Sequence, residues 1–137
     1  MTKYLNYLDR FDDVVVIDWT DNSWKFNKIS NSFPFCDIWI DTKTKELKFN
    51  FALAGYDKKN FEVLCDRGCL TIKHPGLKKL PEVDYIHSGI KFSGFERAFS
   101  LPDYYKNSIP DVTFENGLLC IVIKIDEESK PKKIEIK

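Results

Sequence analysis

Six side chains in this sequence carry the chemistry of a nucleophile or a soft metal ligand: Cys36, Cys65, Cys69, Cys120, His74 and His87. Cys65 and Cys69 flank Asp66-Arg67-Gly68, so they are expected as cross-strand neighbours at a tight turn, while Cys36 and Cys120 sit singly in apolar contexts. A structural zinc site needs four sulfur or imidazole ligands at matched spacings. A Cys-x-x-x-Cys across a hairpin, with no second pair and only two histidines elsewhere, is a poor candidate. The expectation is reduced, partly buried thiols packing as small hydrophobes. A disulfide or redox switch, and then a metal, are the alternatives. His74 and His87 read as surface or interface residues rather than pH sensors. No glycine-rich loop of P-loop type is present to cradle a phosphate. No paired histidine, cysteine and acid fall at a spacing that suggests a catalytic site, so neither an enzyme nor a cofactor is expected.

Composition narrows the partners. Lysine plus arginine equals aspartate plus glutamate, 21 against 21, and no global field favours nucleic acid or an anionic membrane. The longest unbroken apolar run, Leu118–Ile123, is six residues, far short of a membrane span. Met1-Thr2-Lys3-Tyr4-Leu5-Asn6 holds no apolar core of a secretory signal, so the chain is expected to be cytosolic and soluble. A chain of 137 residues is one domain, or a smaller domain with arms at both ends.

The element everything else must be built around is Val112–Ile123. Asn116-Gly117 between two apolar runs signals a hairpin, because both residues tolerate the positive φ of a type I′ turn. Leu118–Ile123 is apolar on both faces, which predicts a strand buried on both sides. From Phe33 onward the chain reads as regular short strands: Cys36–Ile40, Lys48–Leu53 with Phe49, Phe51 and Leu53 on one face, Phe61–Cys65 and Leu70–Lys73. Asp66-Arg67-Gly68 fits a three-residue hairpin loop between the last two. His74 to Asp84 breaks the rhythm with Pro75-Gly76 and Pro81, is too long for a hairpin loop, and ends in a short strand at Tyr85-Ile86-His87. Phe92–Leu101 is a long strand with Phe95, Arg97, Phe99 and Leu101 on one face, and a buried arginine there requires a partner. Roughly seven to nine short strands, with almost no helical period, predict an all-β antiparallel sandwich.

The two ends differ from this core. Residues 1–32 lack a clean pattern. Tyr4, Leu5, Leu8 and Phe11 could share a face of a short helix; Val14–Ile17 is β-prone; Trp19, Trp24 and Phe26 are strung among polar residues. Packing on the domain accounts for each aromatic singly, while the segment as a whole reads as a sticky arm for partners. After Ile125 the tail Glu127–Lys133 is polar until Ile134-Glu135-Ile136.

In order along the chain, several of these segments resemble the small heat-shock proteins, the family built on the α-crystallin domain. Ala52-Leu53-Ala54-Gly55-Tyr56 is similar to its A-x-A-G-F/Y segment, and Phe95-Glu96-Arg97-Ala98-Phe99 to its F-x-R-x-F strand. Val112–Leu119 resembles A-x-x-x-N-G-L/V-L, with Val112 where the family has alanine, and Ile134-Glu135-Ile136 resembles the C-terminal I-x-I motif. Tyr85-Ile86-His87-Ser88-Gly89-Ile90 is similar to the bacterial inclusion-body-associated group.

The resemblance implies an immunoglobulin-like sandwich over residues 33–125, a variable arm over 1–32 and a C-terminal extension over 126–137. It implies an ATP-independent holdase that captures unfolding client proteins and passes them to refolding chaperones. It also implies an oligomer of strand-exchanged dimers, in which Tyr85, Ile86 and His87 pair with a second subunit. Ile134 and Ile136 would enter a groove made by Phe61, Val63, Cys65, Val112 and Phe114, and Arg97 would form a structural ion pair. Clients would meet Tyr4, Leu5, Leu8, Phe11, Trp19, Trp24 and Phe26 of the arm. The competing readings are a monomeric p23-like co-chaperone, which needs neither the 74–90 excursion nor a terminal I-x-I, and a structural virion component.

Overall fold

The computed structural model describes residues 14–20, 23–26 and 33–126. Nine strands among them form two sheets: β1 (Val15–Thr20), β2 (Ser23–Phe26), β3 (Cys36–Ile40), β4 (Leu47–Ala52), β5 (Glu62–Asp66), β6 (Cys69–Gly76), β7 (Ser93–Ser100), β8 (Asp111–Glu115) and β9 (Leu118–Ile123). One sheet runs β2-β1-β7-β6-β5 and the other β3-β4-β9-β8. Every strand pair is antiparallel except β1 with β7.

The alternation read from the sequence is what closes the sandwich. In β4 the residues Leu47, Phe49 and Phe51 are buried while Lys48 and Asn50 between them are half-buried. Phe99 of β7 crosses the gap and meets Phe49 and Phe51 edge-on, with ring centroids 5.2 and 5.8 Å apart. Leu70 and Ile72 from one sheet and Leu119, Ile121 and Ile123 from the other complete a dry core. Each such side chain removed from water stabilises the fold by about 1.5–3 kcal/mol. Tyr105, buried on a single 3-10 turn, donates its hydroxyl to the Lys45 carbonyl at 2.6 Å and ties the β7–β8 connection to the β3–β4 turn.

The predicted Asn116-Gly117 turn is present, with φ of 54° and 77°, and Glu115 opposes Leu118 in register. Its second strand is buried on one face only: Leu118 is exposed, and Cys120 and Val122 are half-buried. A two-layer sandwich covers the inner face of each sheet, so continuous apolar sequence does not guarantee two buried faces.

Five further expectations change. The turn after β5 has two residues, not three: Arg67 and Gly68 both take positive φ (51° and 77°), and Asp66 pairs with Cys69. A two-residue primed turn matches the right-handed twist of the strands it joins. That register sets Cys65 opposite Leu70 and Cys69 opposite Asp66, so the two cysteines point to opposite faces rather than toward each other. β6 continues through His74 and Pro75 to Gly76, because β7 is long enough to pair along its whole length. Tyr85-Ile86-His87 is not a strand: no strand lies between Gly76 and Ser93, and Ile86 is fully exposed. Strands also begin earlier than Phe33. β1 joins the five-stranded sheet through Val15 opposite Phe99 and Val16 opposite Ser100, and Val15 and Ile17 are part of the core.

Candidate functional site

Two places on the sandwich gather apolar side chains that the core does not cover. The first lies where the sheets end together. Among the described residues β5 is the last strand of one sheet and β8 of the other, and no further strand there covers the side chains between them. Phe61 and Phe114 meet across this gap with ring centroids 4.9 Å apart. Beside them opens a cleft of about 350 Å³, lined by Val63, Cys65 and Val112 with Asn107, Ser108 and Ile109. The five residues expected to share a groove are thus on one side of the molecule. Val112 and Ile109 are exposed, and Leu64 next to them is 48% exposed. Burial, reinforced by Cys69 and Asp66, pushes the Cys65 thiol above its ordinary pKa, which keeps it protonated and a weak nucleophile.

The second place is the 77–92 segment. Leu80, Val83, Tyr85, Ile86 and Ile90 are all exposed, with Leu80 at 67% and Ile90 at 72%. Leu80, Tyr85 and Ile90 line an open hollow of about 810 Å³ whose walls also carry Lys78, Lys79 and Lys91.

The root of that segment is built tightly. The Leu77 N–H donates to the Phe92 carbonyl at 2.8 Å. Tyr56, from the Ala-Gly-Tyr segment, donates its hydroxyl to the Ser93 carbonyl at 2.7 Å, and burial raises its phenol pKa. Gly55, at φ 88°, lies under the Phe92 ring, where an added Cβ would come within 2.7 Å of a ring carbon. Gly76 is at φ 90°, and a Cβ there would meet the Gly94 backbone nitrogen at 2.5 Å. Only glycine lets the two limbs approach so closely.

His74 belongs to this root and is buried, contrary to the surface position expected for it. Its Nε2–H donates to Asp57 Oδ1 at 2.9 Å, and its Nδ1 accepts the Gly76 N–H at 2.9 Å. Those two bonds together require the neutral Nε2–H tautomer. Tyr56 and Phe61 pack edge-on against the imidazole at 4.9 and 4.7 Å. Desolvation pushes the Asp57 carboxyl up, but hydrogen bonds from its own backbone N–H, from His74 and from Asn60 outweigh it and hold the pKa below the usual range. No sequence signal pairs Asp57 with His74; the β5–β6 register, with Glu62 opposite Lys73, brings the turn that precedes β5 beside His74.

Arg97 is buried on the inner face as expected, opposite Ile72, with its guanidinium 5.7 Å from the Phe99 ring. Cys36, raised in pKa mainly by burial, feels its positive charge in the opposite sense. Cys36 and Cys120 are half-buried and Cys69 is buried. Among the described residues no group of three or more histidine, cysteine or acidic side chains could hold a metal ion, and no helix is long and apolar enough to cross a membrane. Tyr4, Leu5, Leu8 and Phe11 of the arm, and Ile134 and Ile136 of the tail, lie outside the described residues. Trp19, Trp24 and Phe26 fall in β1 and β2, where Trp19 opposes Trp24 in register.

The sandwich has known counterparts. A model of the Hsp20/alpha crystallin family matches residues 39–137. Small heat shock protein C2 of Rickettsia felis is 29% identical over 134 residues, covering 96% of this chain and 86% of that protein. Small heat shock protein IbpB of Pectobacterium atrosepticum is 31% identical over 91 residues, and the match covers 65% of this chain and 59% of its relative's length. Among solved structures, a small heat-shock protein from Xylella fastidiosa superposes with a TM-score of 0.63 over 79% of this chain and 99% of its own, at 23% identity, a likeness of fold. The small heat shock protein of Synechococcus phage S-ShM2 is 28% identical, with a TM-score of 0.57 over 77% of this chain and all of its own.

Proposed function

The chain belongs to the Hsp20/alpha crystallin family, whose membership supports a chaperone role, and from that premise we propose that it is an ATP-independent holdase. It binds unfolding proteins, prevents their aggregation and releases them to refolding chaperones in the cytoplasm. The observation that carries this reading is the placing of its exposed apolar side chains. Most of them cluster at the cleft and along the 77–92 segment, at the margins of the sandwich, where copies of the chain can cover them and uncover them again.

In this reading Tyr85, Ile86 and His87 gain a strand partner by pairing with a sheet edge of a second subunit, here β3, the edge of the four-stranded sheet on the side away from the cleft. Pairing satisfies backbone groups that would otherwise invite aggregation. Ile134 and Ile136 dock into the cleft of Val63, Cys65 and Val112 beside Phe61 and Phe114. Residues i and i+2 of an extended segment point the same way, so both isoleucines can enter while Glu135 faces water. Burying each is worth about 1.5–3 kcal/mol, and fixing the backbone costs roughly 1–2 kcal/mol per residue, so a single contact opens readily. Many tails acting together hold a large particle that still exchanges subunits. Arg97 serves as a structural ion pair. Residues 1–32 form the client-binding arm, with β1 also docked on the sheet, and 126–137 the linking tail.

The test is light scattering from a heat-labile client with and without the protein, in the absence and presence of ATP. Suppression near equal subunit ratios, indifferent to ATP, is the expected result. No suppression at any ratio sinks the reading.

A further inference from the structure

The tail leaves the sandwich at the cleft itself. Ser108 Oγ donates to the Lys124 carbonyl, Asn107 Nδ2 donates to Asp126 Oδ2 at 2.9 Å, and the Asp126 N–H donates to the Tyr104 carbonyl. Asn107 and Ser108 also line the cleft, alongside Val63, Cys65 and Val112. The point where the tail becomes a tether is therefore fixed to the cleft wall. From there to Ile134 the chain has the seven residues 127–133, which extend to roughly 23–25 Å at about 3.3–3.6 Å per residue. That is several times the width of a cleft of about 350 Å³, enough to turn back with slack, and the tether is polar throughout.

We infer that the first occupant of the cleft is the chain's own tail, so that Ile134 and Ile136 cap their own subunit until a neighbour's tail displaces them. The inference rests on the reading that these isoleucines seek this cleft, and adds which subunit supplies them. A short flexible tether holds its end at an effective concentration in the millimolar range. At low protein concentration self-docking then outcompetes a neighbour, and the subunit is closed against assembly. As subunits accumulate, or as their tails are held close by other contacts, exchange between own and neighbouring tails opens the route to larger particles. The tether length sets the threshold.

Cys65 supplies a built-in probe. In a full-length Cys36→Ser, Cys120→Ser background, with Ile134 kept and Ile136→Cys added, a docked tail brings the new thiol beside Cys65; Cys69 is buried on the opposite face. Mild oxidation with glutathione disulfide, which takes up the two electrons, joins the pair. Non-reducing electrophoresis and thiol counting then distinguish three results. An intrachain bond, in a monomer band whose yield is unchanged on about tenfold dilution, is expected from a tethered pair. Disulfide-linked dimers alone would overturn the inference while leaving the tail-in-cleft reading intact. No bond to Cys65, with the Cys65→Ser control indistinguishable, would remove both. Deleting Ser129–Lys133 leaves too little tether to turn back. In the same background it should cut the intrachain product at least about tenfold and spare the interchain one. An intrachain yield unmoved by that deletion also counts against self-docking.

Discussion

The interior of the sandwich and the 77–92 segment are made of similar side chains and meet opposite fates. Phe49, Phe51 and Phe99 are wholly buried, whereas Ile86, Ile90 and Leu80 stand in solvent. The first three sit on strands whose backbone groups are paired on both sides, so one face can be dry without stranding an N–H or a carbonyl. The segment after Gly76 has no such ladder among the described residues. Apolar content alone does not decide burial; it decides burial only where the backbone is satisfied. In the proposed holdase the second region would be the useful one, because what one chain leaves uncovered another can cover.

Breaking the interior should have the largest effect. Phe99→Ala removes the ring that joins both sheets, and a loss of about 3–5 kcal/mol is expected, read as a lower denaturation midpoint. A loss under about 1 kcal/mol would mean that the sheets do not depend on that contact. Truncation comes next. Removing residues 1–32 also strips Val15 and Ile17 from the core, at up to about 1.5–3 kcal/mol each, whereas removing 1–13 leaves them in place. The shorter truncation should therefore melt near the full chain while losing client protection. Equal melting of both truncations would show that β1 adds nothing to the sheet.

Smaller changes separate the root from the rest of the segment. Tyr56→Phe deletes the hydroxyl bond to Ser93 and should cost about 0.5–1.5 kcal/mol, with faster amide exchange at Leu77 and Phe92 as the local sign. Unchanged exchange there would uncouple the hydroxyl from the root. Asp57 adds a pH dependence. Its folded pKa is depressed, so its contribution is present above the ordinary carboxylate range, near pH 4, and is lost as pH falls through the folded value. Asp57→Asn should flatten that part of the acid-unfolding curve, and an identical curve would argue against the His74 bond. The smallest effect on stability is expected for Ile86→Asp, within about 0.5 kcal/mol because the side chain touches little, yet it should dissociate the proposed dimer in sedimentation. A dimer that survives would remove this segment from the interface.

Much of the fold was legible from local pattern. Phe49-x-Phe51, the Asn116-Gly117 turn and the run of short strands depend on neighbours in sequence, and period and turn chemistry suffice to read them. The five cleft residues could be grouped only through the family resemblance, because Val63 of β5 and Val112 of β8 belong to different sheets. His74 was misread because its burial depends on β6 running on to Gly76, and that length is set by β7. The opposite facing of Cys65 and Cys69 turned on a turn shorter by one residue, which flips a side chain to the other face.

By itself the sequence determined the centres of most strands from Cys36 onward, the Asn116-Gly117 turn and the apolar inner face of β4, since these follow from side-chain period and backbone preference within a few residues. Only the tertiary structure decided that Val15 and Ile17 join the core, that Asp57 meets His74 beneath the excursion, and that the tail departs from the wall of the cleft. Each of those depends on the register and order of strands far apart in the chain. That order is settled by the joint packing of both sheets rather than by any one segment.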